Sequence, residues 1–212
     1  MQTNLQHVKE DLQYCSDLII RDVILGQTKQ RKAALIHIQG ISGNESISFN
    51  VMNPLLQKWK LQNMDEVEES FLWDELKMNT FRVSHVQAET EWNAMMLAIL
   101  NGDTAIFVDH ISKVLLLDTK GGQFRSVSES TAQTIIGGPK DSFTESIATN
   151  MSLLRNRIRN SHLKMEMQKA GDISHTNIVI TYVDNKVNRE ILDNVKQKIQ
   201  NINGIYLYRI SH

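Results

Sequence analysis

A Gly137-Gly138-Pro139 turn runs straight into a segment that carries Leu153-Leu154-Arg155-Asn156-Arg157-Ile158-Arg159, and no other junction constrains the fold as much. Glycine takes positive φ freely and proline fixes φ near about −65°, so the chain reverses there in a defined way. Ser142 with Glu145 three residues later fits a capping box, in which each side chain satisfies an orphan N–H at a helix start. Phe143, Ile147, Met151, Leu154 and Ile158 then recur every three or four residues, which predicts a buried stripe on an amphipathic helix. Ser, Thr and Gly accumulate just before it, so residues 128–141 read as a linker.

The rest of the chain must supply a core, and its composition allows one. Of 212 residues, 41% are hydrophobic and 22% charged, with a net charge of −1, enough for one or two compact domains. That balance gives no global electrostatic case for nucleic acid. The single cysteine, Cys15, excludes an intramolecular disulfide and fits a reducing compartment. Apolar runs such as 94–100 fall far short of the ~20 residues a membrane helix requires. The first residues lack a basic region followed by an apolar stretch, so no secretory signal is expected and the chain reads as cytoplasmic.

Along the chain, residues 1–32 read as one or two polar amphipathic helices, with Leu12, Ile19, Ile20 and Val23 as a thin apolar face and Gly26 as the stop. Residues 33–41 predict a strand and 45–61 a helix that Pro54 kinks or interrupts. The acidic stretch 65–75 reads as a solvated loop or helix face, with a cation or basic-partner site as the other option. Strands are expected at 82–86, 105–109, 114–117 and 124–127, and a helix at 89–100. An offset of 144 residues superposes Leu35 on Val179, Ile36 on Ile180, Asn44 on Asn188, Ile47 on Ile191, Val51 on Val195 and Leu55 on Ile199. Two halves built alike give that pattern, and so does chance between two strand–helix units obeying the same periodicity.

Signs of catalysis are lacking. Gly-Gly-Pro-Lys-Asp-Ser lacks the spacing of a phosphate loop, and Pro139 removes an N–H that would face a phosphate. The seven histidines show neither i, i+4 pairing nor a Cys partner, so no metal is expected. Asp103 and Asp109 flank a strand and read as turn and strand-end residues before they read as a carboxylate pair. No nucleophile elbow or Cys/His signature is present. No enzyme activity and no cofactor are expected. His37 and His85 read as core or edge residues, and Trp59, Trp73 and Trp92 as packing residues. From Arg155 to Lys169 five bases face one acid, Glu166. They either complement a helix carboxyl end or present a surface to an acidic partner or anionic lipid.

Gly138, Pro139, Phe143, Thr144, Glu145, Ser146, Asn150, Leu153, Leu154, Arg155, Arg157 and Ile158 together resemble the hallmark of one family: the soluble amino-terminal domain of GerA-type spore germinant receptor A subunits. Leu100-Asn101-Gly102-Asp103-Thr104-Ala105 with the strand to Asp109 resembles a second family segment, and the order from Lys164 to Val183 a third. Three positions depart from the pattern: Gly137 replaces an arginine, His110 a glycine, and Ser130 a proline. The resemblance implies an α/β fold of two small, topologically similar subdomains with mixed sheets flanked by helices, reminiscent of two-lobed solute-binding proteins. The implied boundaries are an N-terminal helical segment 1–32, subdomains 33–127 and 142–212, and the linker between them. It also implies a longer parent with membrane helices in the spore inner membrane, this domain on the spore-core side, and B, C and further A subunits as partners. A chain this short then reads as a clipped piece or a short version of the gene. The implied role is signal transmission or assembly in nutrient-triggered germination, with Arg155, Arg157, Arg159 and Lys164 as the interface. The other class of function is a small-ligand module that binds a nutrient.

Overall fold

Strand β1, Leu18–Leu25, is where the sequence reading and the structure part first. The apolar face of 1–32 is spaced for a helix, yet only α1, Gln2–Asp11, is helical. Six of the eight residues from Leu18 to Leu25 are isoleucine, valine or leucine, a composition suited to a pleated surface. Pairing decides it: Leu18 lies opposite Ile38 and the antiparallel ladder runs without a break to Leu25 opposite Arg31. Gly26, at φ +91°, ends this strand rather than a helix.

The computed structural model describes residues 1–27, 30–64, 67–121, 143–171 and 173–202. The strand expected at 124–127, the linker 128–141, Gly138, Pro139 and Ser142 lie outside the described residues. The architecture is α/β, with antiparallel sheets flanked by helices. Among the described residues every laddered strand pair is antiparallel, and parallel pairing is confined to isolated bridges, so the mixed sheets expected from the sequence are antiparallel ones. Contacts divide the chain into two compact units, Met1–Glu10 with Asp17–Asn160, and Asp11–Ser16 with Ser161–His212. This differs from a boundary at 142, because the helix that follows 142 packs within the first unit and residues 11–16 within the second.

The first unit is built on a five-stranded sheet in the order β1-β2-β4-β5-β3, with β2 Arg31–Ile38, β3 Val86–Glu89, β4 Thr104–Val108 and β5 Val114–Leu117. The strand expected at 82–86 starts where that expectation ends. One sheet face, carrying Val23, Leu25, Leu35, Ile106, Val108, Leu115 and Leu117, packs on Ile47, Val51, Leu55, Trp59, Leu72 and Leu76 from the helices. The opposite face of β2 and β4 is covered in part by α5, Trp92–Leu100. Covering on both faces explains why β4 and β5 are buried at every position.

The interruption expected at Pro54 does not occur. The helix runs through α2 (Asn44–Ser46), a π-type stretch Ile47–Met52 and α3 (Asn53–Trp59) without a break in helical dihedrals. Proline has no N–H to offer the carbonyl four residues earlier. That carbonyl, of Asn50, accepts instead from Arg82 N–H at 3.0 Å, and Asn53 N–H reaches back to Ser48. The acidic stretch is partly helical as α4, Glu69–Glu75, followed by a π-type turn to Thr80. Glu75 pairs with Lys58 and accepts from Asn79, which holds its carboxyl below the usual range.

The second unit has a two-stranded sheet, β6 Leu163–Ala170 with β7 Thr176–Val183, and helix α7, Arg189–Gln200, whose Asn188 cap accepts from Glu190 and Ile191 N–H. Tyr14 to Ser16 lie along the other edge of β6, where Cys15 bridges to Met165. Its interior mixes apolar and polar groups. Glu166 accepts from the Tyr182 hydroxyl and from Lys196 Nζ, and Lys196 also stands over the Tyr14 and Tyr182 rings. Burial, then the Glu166 carboxylate, pushes the Tyr182 phenol well above its ordinary value.

Candidate functional site

The residues of the central motif build a helix cap. Helix α6, Ile147–Arg157, starts from Ser146, whose Oγ accepts from Thr149 N–H at 3.3 Å. Asn150 turns back over that first turn: its Oδ1 accepts from Thr144 N–H at 2.7 Å and its Nδ2 donates to Thr144 carbonyl at 2.8 Å. Thr144 Oγ1 in turn accepts from Ser146 N–H at 3.2 Å. Thr144, Ser146 and Asn150 thus form one closed unit. Glu145 is exposed and outside it; the N-cap is Ser146, and Ser142, the other residue of the expected box, lies outside the described residues. Phe143 is 59% exposed and borders a shallow recess with Leu153, Leu154 and Arg157. It does not reach the core.

The expected buried stripe is also rotated. On α6 the buried residues are Met151 and Arg155, four apart and so on one face, whereas Ile147 and Leu154 are half-buried and Ile158 exposed. Arg155 is 0% exposed. Its Nε donates to Asp17 Oδ2 at 2.7 Å, its second terminal nitrogen to Asp17 Oδ1 at 3.0 Å, and the other to Asn160 carbonyl at 3.4 Å. This two-pronged geometry is what a guanidinium offers a carboxylate. Lys164 is buried in the second unit and donates to Asp11 carbonyl at 2.8 Å. Burial therefore removes Arg155 and Lys164 from the expected interface, and Arg157 and Arg159 remain exposed. Asp17, the partner of Arg155, is a residue the sequence reading passes over. Its one signal is an acid placed directly before an apolar run.

The second motif is also structural. Gly102 has φ +98°, and a Cβ there would stand 2.6 Å from Ile41 carbonyl oxygen, so only glycine fits. Thr104 and Thr119 share a buried hydroxyl–hydroxyl bond of 2.7 Å, and Thr119 donates on to Gly102 carbonyl. Asp103 pairs with Lys120 at 3.0 Å while burial pushes its carboxyl up. Asp109 serves the sheet through its N–H to Lys32, and the two aspartates form no carboxylate pair with each other. Among the described residues no group of three or more His, Cys, Asp or Glu side chains is placed to hold a metal ion.

A cleft of about 480 Å³ is lined by the 39–45 loop, Gly121 and the first two turns of α6. Two helices begin at it. Gly43 N–H is held by Thr119 carbonyl at 2.7 Å, and no side chain caps the helix starting at Asn44. Gly40, at φ +92°, lies so close to α6 that a Cβ would meet Ser152 Oγ at 2.3 Å. Next to this cleft, His37 is buried on the floor of a smaller recess, and desolvation holds its imidazole below the ordinary 6.5.

The sequence model for the Bacillus/Clostridium GerA spore germination protein matches residues 6–209. The chain belongs to the GerA family. Spore germination protein KA of Bacillus subtilis is 30% identical over 94% of this chain and 36% of its own length. Spore germination protein GerLA of Bacillus cereus is 24% identical over 93% of this chain and 39% of its own. The chain thus spans under two-fifths of the length of these curated relatives. Among solved structures, the N-terminal domain of the A subunit of the Bacillus megaterium spore germinant receptor GerK3 shares the fold, with a TM-score of 0.65 at 24% identity over 96% of this chain and 72% of that one. Among the described residues, this GerA-family chain has no helix long and apolar enough to cross a membrane. The departure at His110 is visible in the backbone: φ is +65°, a conformation that glycine adopts without strain.

Proposed function

We propose that this chain is the N-terminal domain of a spore germinant receptor A subunit, acting in nutrient-triggered germination by subunit assembly or signal transmission and without catalysis. The observation that carries the reading is the family match across residues 6–209, on a fold shared with an A-subunit N-terminal domain. The motif chemistry supports it: Thr144, Ser146, Asn150 and Arg155 spend their polar groups on capping and internal pairing. In the complete protein this domain stands on the spore-core side of the inner membrane, and its partners are the B and C subunits and further A subunits. The exposed ends of α6 supply the contact, with Arg157 and Arg159 reading an acidic partner surface beside Phe143 and Leu154.

The test replaces both exposed arginines by glutamate (R157E with R159E) in the receptor gene of the spore-former. Arg159→Glu alone, at an exposed site, should change the stability of the isolated chain, read as its melting temperature, by no more than about 0.5 kcal/mol. The double variant is compared with it, so that a loss of fold is told from a loss of contact. Co-purification of the partner subunits and nutrient-triggered germination should both fall. Normal germination with normal complex recovery would reject this surface.

A further inference from the structure

The chain belongs to the first unit up to Glu10, to the second from Asp11 to Ser16, and to the first again from Asp17. Within the second unit this short stretch is fastened to β6. Tyr14 carbonyl accepts from Met165 N–H at 3.1 Å, Ser16 N–H donates to Met165 carbonyl at 2.9 Å, and Ser16 Oγ accepts from Met167 N–H at 2.7 Å. Lys164 Nζ holds the Asp11 carbonyl, and Leu12 and Cys15 are buried. Tyr14 stands at φ +64°, a left-handed conformation that a residue with a Cβ adopts at a cost. Strain of this kind persists only where the surroundings hold it. Lys196 of α7 does the holding: its ammonium lies 5.4 Å from the centre of the Tyr14 ring and is itself fixed by Glu166 at 2.7 Å. One peptide bond further on, Asp17 is pinned in the first unit. Its carboxylate takes two donors of Arg155, and its carbonyl accepts from Gln39 N–H at 2.8 Å.

We infer that residues 11–16 are a strap with two states, docked on β6 and lifted from it, and that the Asp17–Arg155 pair and the Tyr14–Lys196 contact set the balance together. Lifting relieves the strain at Tyr14 and costs the bonds of Tyr14 and Ser16 to β6. Those bonds are directional, and Ser16 is joined to Asp17 by a single peptide bond. A displacement of Arg155 therefore moves Asp17 and disturbs both hydrogen bonds of Ser16. Conversely, a change at Lys196 frees Tyr14 and loosens the backbone that presents Asp17 to Arg155. The device stands on these bonds and does not depend on the receptor reading. Under that reading it gives a signal its route, since Arg155 lies on α6 two residues before Arg157 of the proposed contact.

The test is native-state hydrogen exchange on the 212-residue chain, with the Met165 and Met167 amides reporting on the strap. These two should exchange together and faster than the amides of the β6–β7 ladder, because the strap lifts without opening the ladder. Ser16→Ala removes one neutral hydrogen bond and should speed Met165, whose own bond to Tyr14 is untouched, by about fivefold. Asp17→Asn weakens the pairing with Arg155 and should speed both reporters while ladder amides keep their rates. If lost protection in β2 shows that Asp17→Asn unfolds the first unit, the Arg155 Nε–H signal of the Ser16→Ala chain decides from the other end. It should exchange faster than in the unaltered chain, because coupling runs both ways. Met165 and Met167 exchanging in step with the ladder in every variant would overturn the strap. A Met165 response to Ser16→Ala, with neither Asp17→Asn reaching the reporters nor Ser16→Ala reaching Arg155, would overturn the coupling.

Discussion

Arg155 shows how one residue changes meaning between a sequence and a fold. In the run Arg155-Asn156-Arg157-Ile158-Arg159 its charge looks like its neighbours', and an exposed basic surface is the economical reading. The helix register separates them: Arg155 follows Met151 by four and faces inward, where Asp17 takes two of its donors. Nothing local to the run announces Asp17, which lies 138 positions away. Conversely, His110 is legible in the sequence as a departure but gains its physical content only from φ +65°. An L-residue pays strain in that region, while glycine pays extra backbone entropy in the unfolded chain. His110 is exposed, so its side chain gives up little on removal. His110→Gly should therefore stabilise the chain by roughly 0.5–1 kcal/mol, read as a higher urea midpoint at unchanged slope. A lower midpoint would mean that the imidazole makes a contact worth more than the strain.

At the scale of elements, the helix α6 cap separates two assignments that the sequence alone cannot. Ser142 with Glu145 and Ser146 with Thr149 both place a hydroxyl residue three positions before a polar one, and the first has the better side chain for a box. The structure starts the helix at Ser146, and Thr144 and Asn150 close the turn around it. Ser146→Ala should then cost about 1 kcal/mol, as other N-cap losses do, while Glu145→Ala should stay within about 0.5 kcal/mol, as exposed sites do. Chemical denaturation of the two variants side by side measures this, and the reverse order would restore the earlier start. Strands β4 and β5 are legible because each is a short run, apolar from Ala105 to Val108 and from Val114 to Leu117, bounded by turn residues. Strand β1 is not, since Arg21 and Asp22 break its alternation and the spacing of its apolar residues also suits a helix. Only the ladder with β2 resolves it.

At the scale of the whole molecule, the two units draw on different sources of stability. The first has a five-stranded sheet with a continuous aliphatic core from both strands and helices. Among the described residues the second has a two-stranded sheet, helix α7 with Leu192 as its buried residue, and the polar cluster of Glu166, Tyr182 and Lys196. Two-stranded ribbons are marginal without further packing, and buried polar networks contribute less net free energy than apolar burial of similar size. Native-state hydrogen exchange should therefore find two levels of protection. Amides of β2 and β4, central in the larger sheet, should exchange only through global unfolding. Amides of β6 and β7 should open by a separate, cheaper route and exchange at least about tenfold faster, a difference of ~1.4 kcal/mol in opening free energy. Denaturant at low concentration should bring the second group forward first. If all four strands instead share one protection level and one denaturant slope, the units unfold together, and Glu166, Tyr182 and Lys196 must contribute as much as an aliphatic core would.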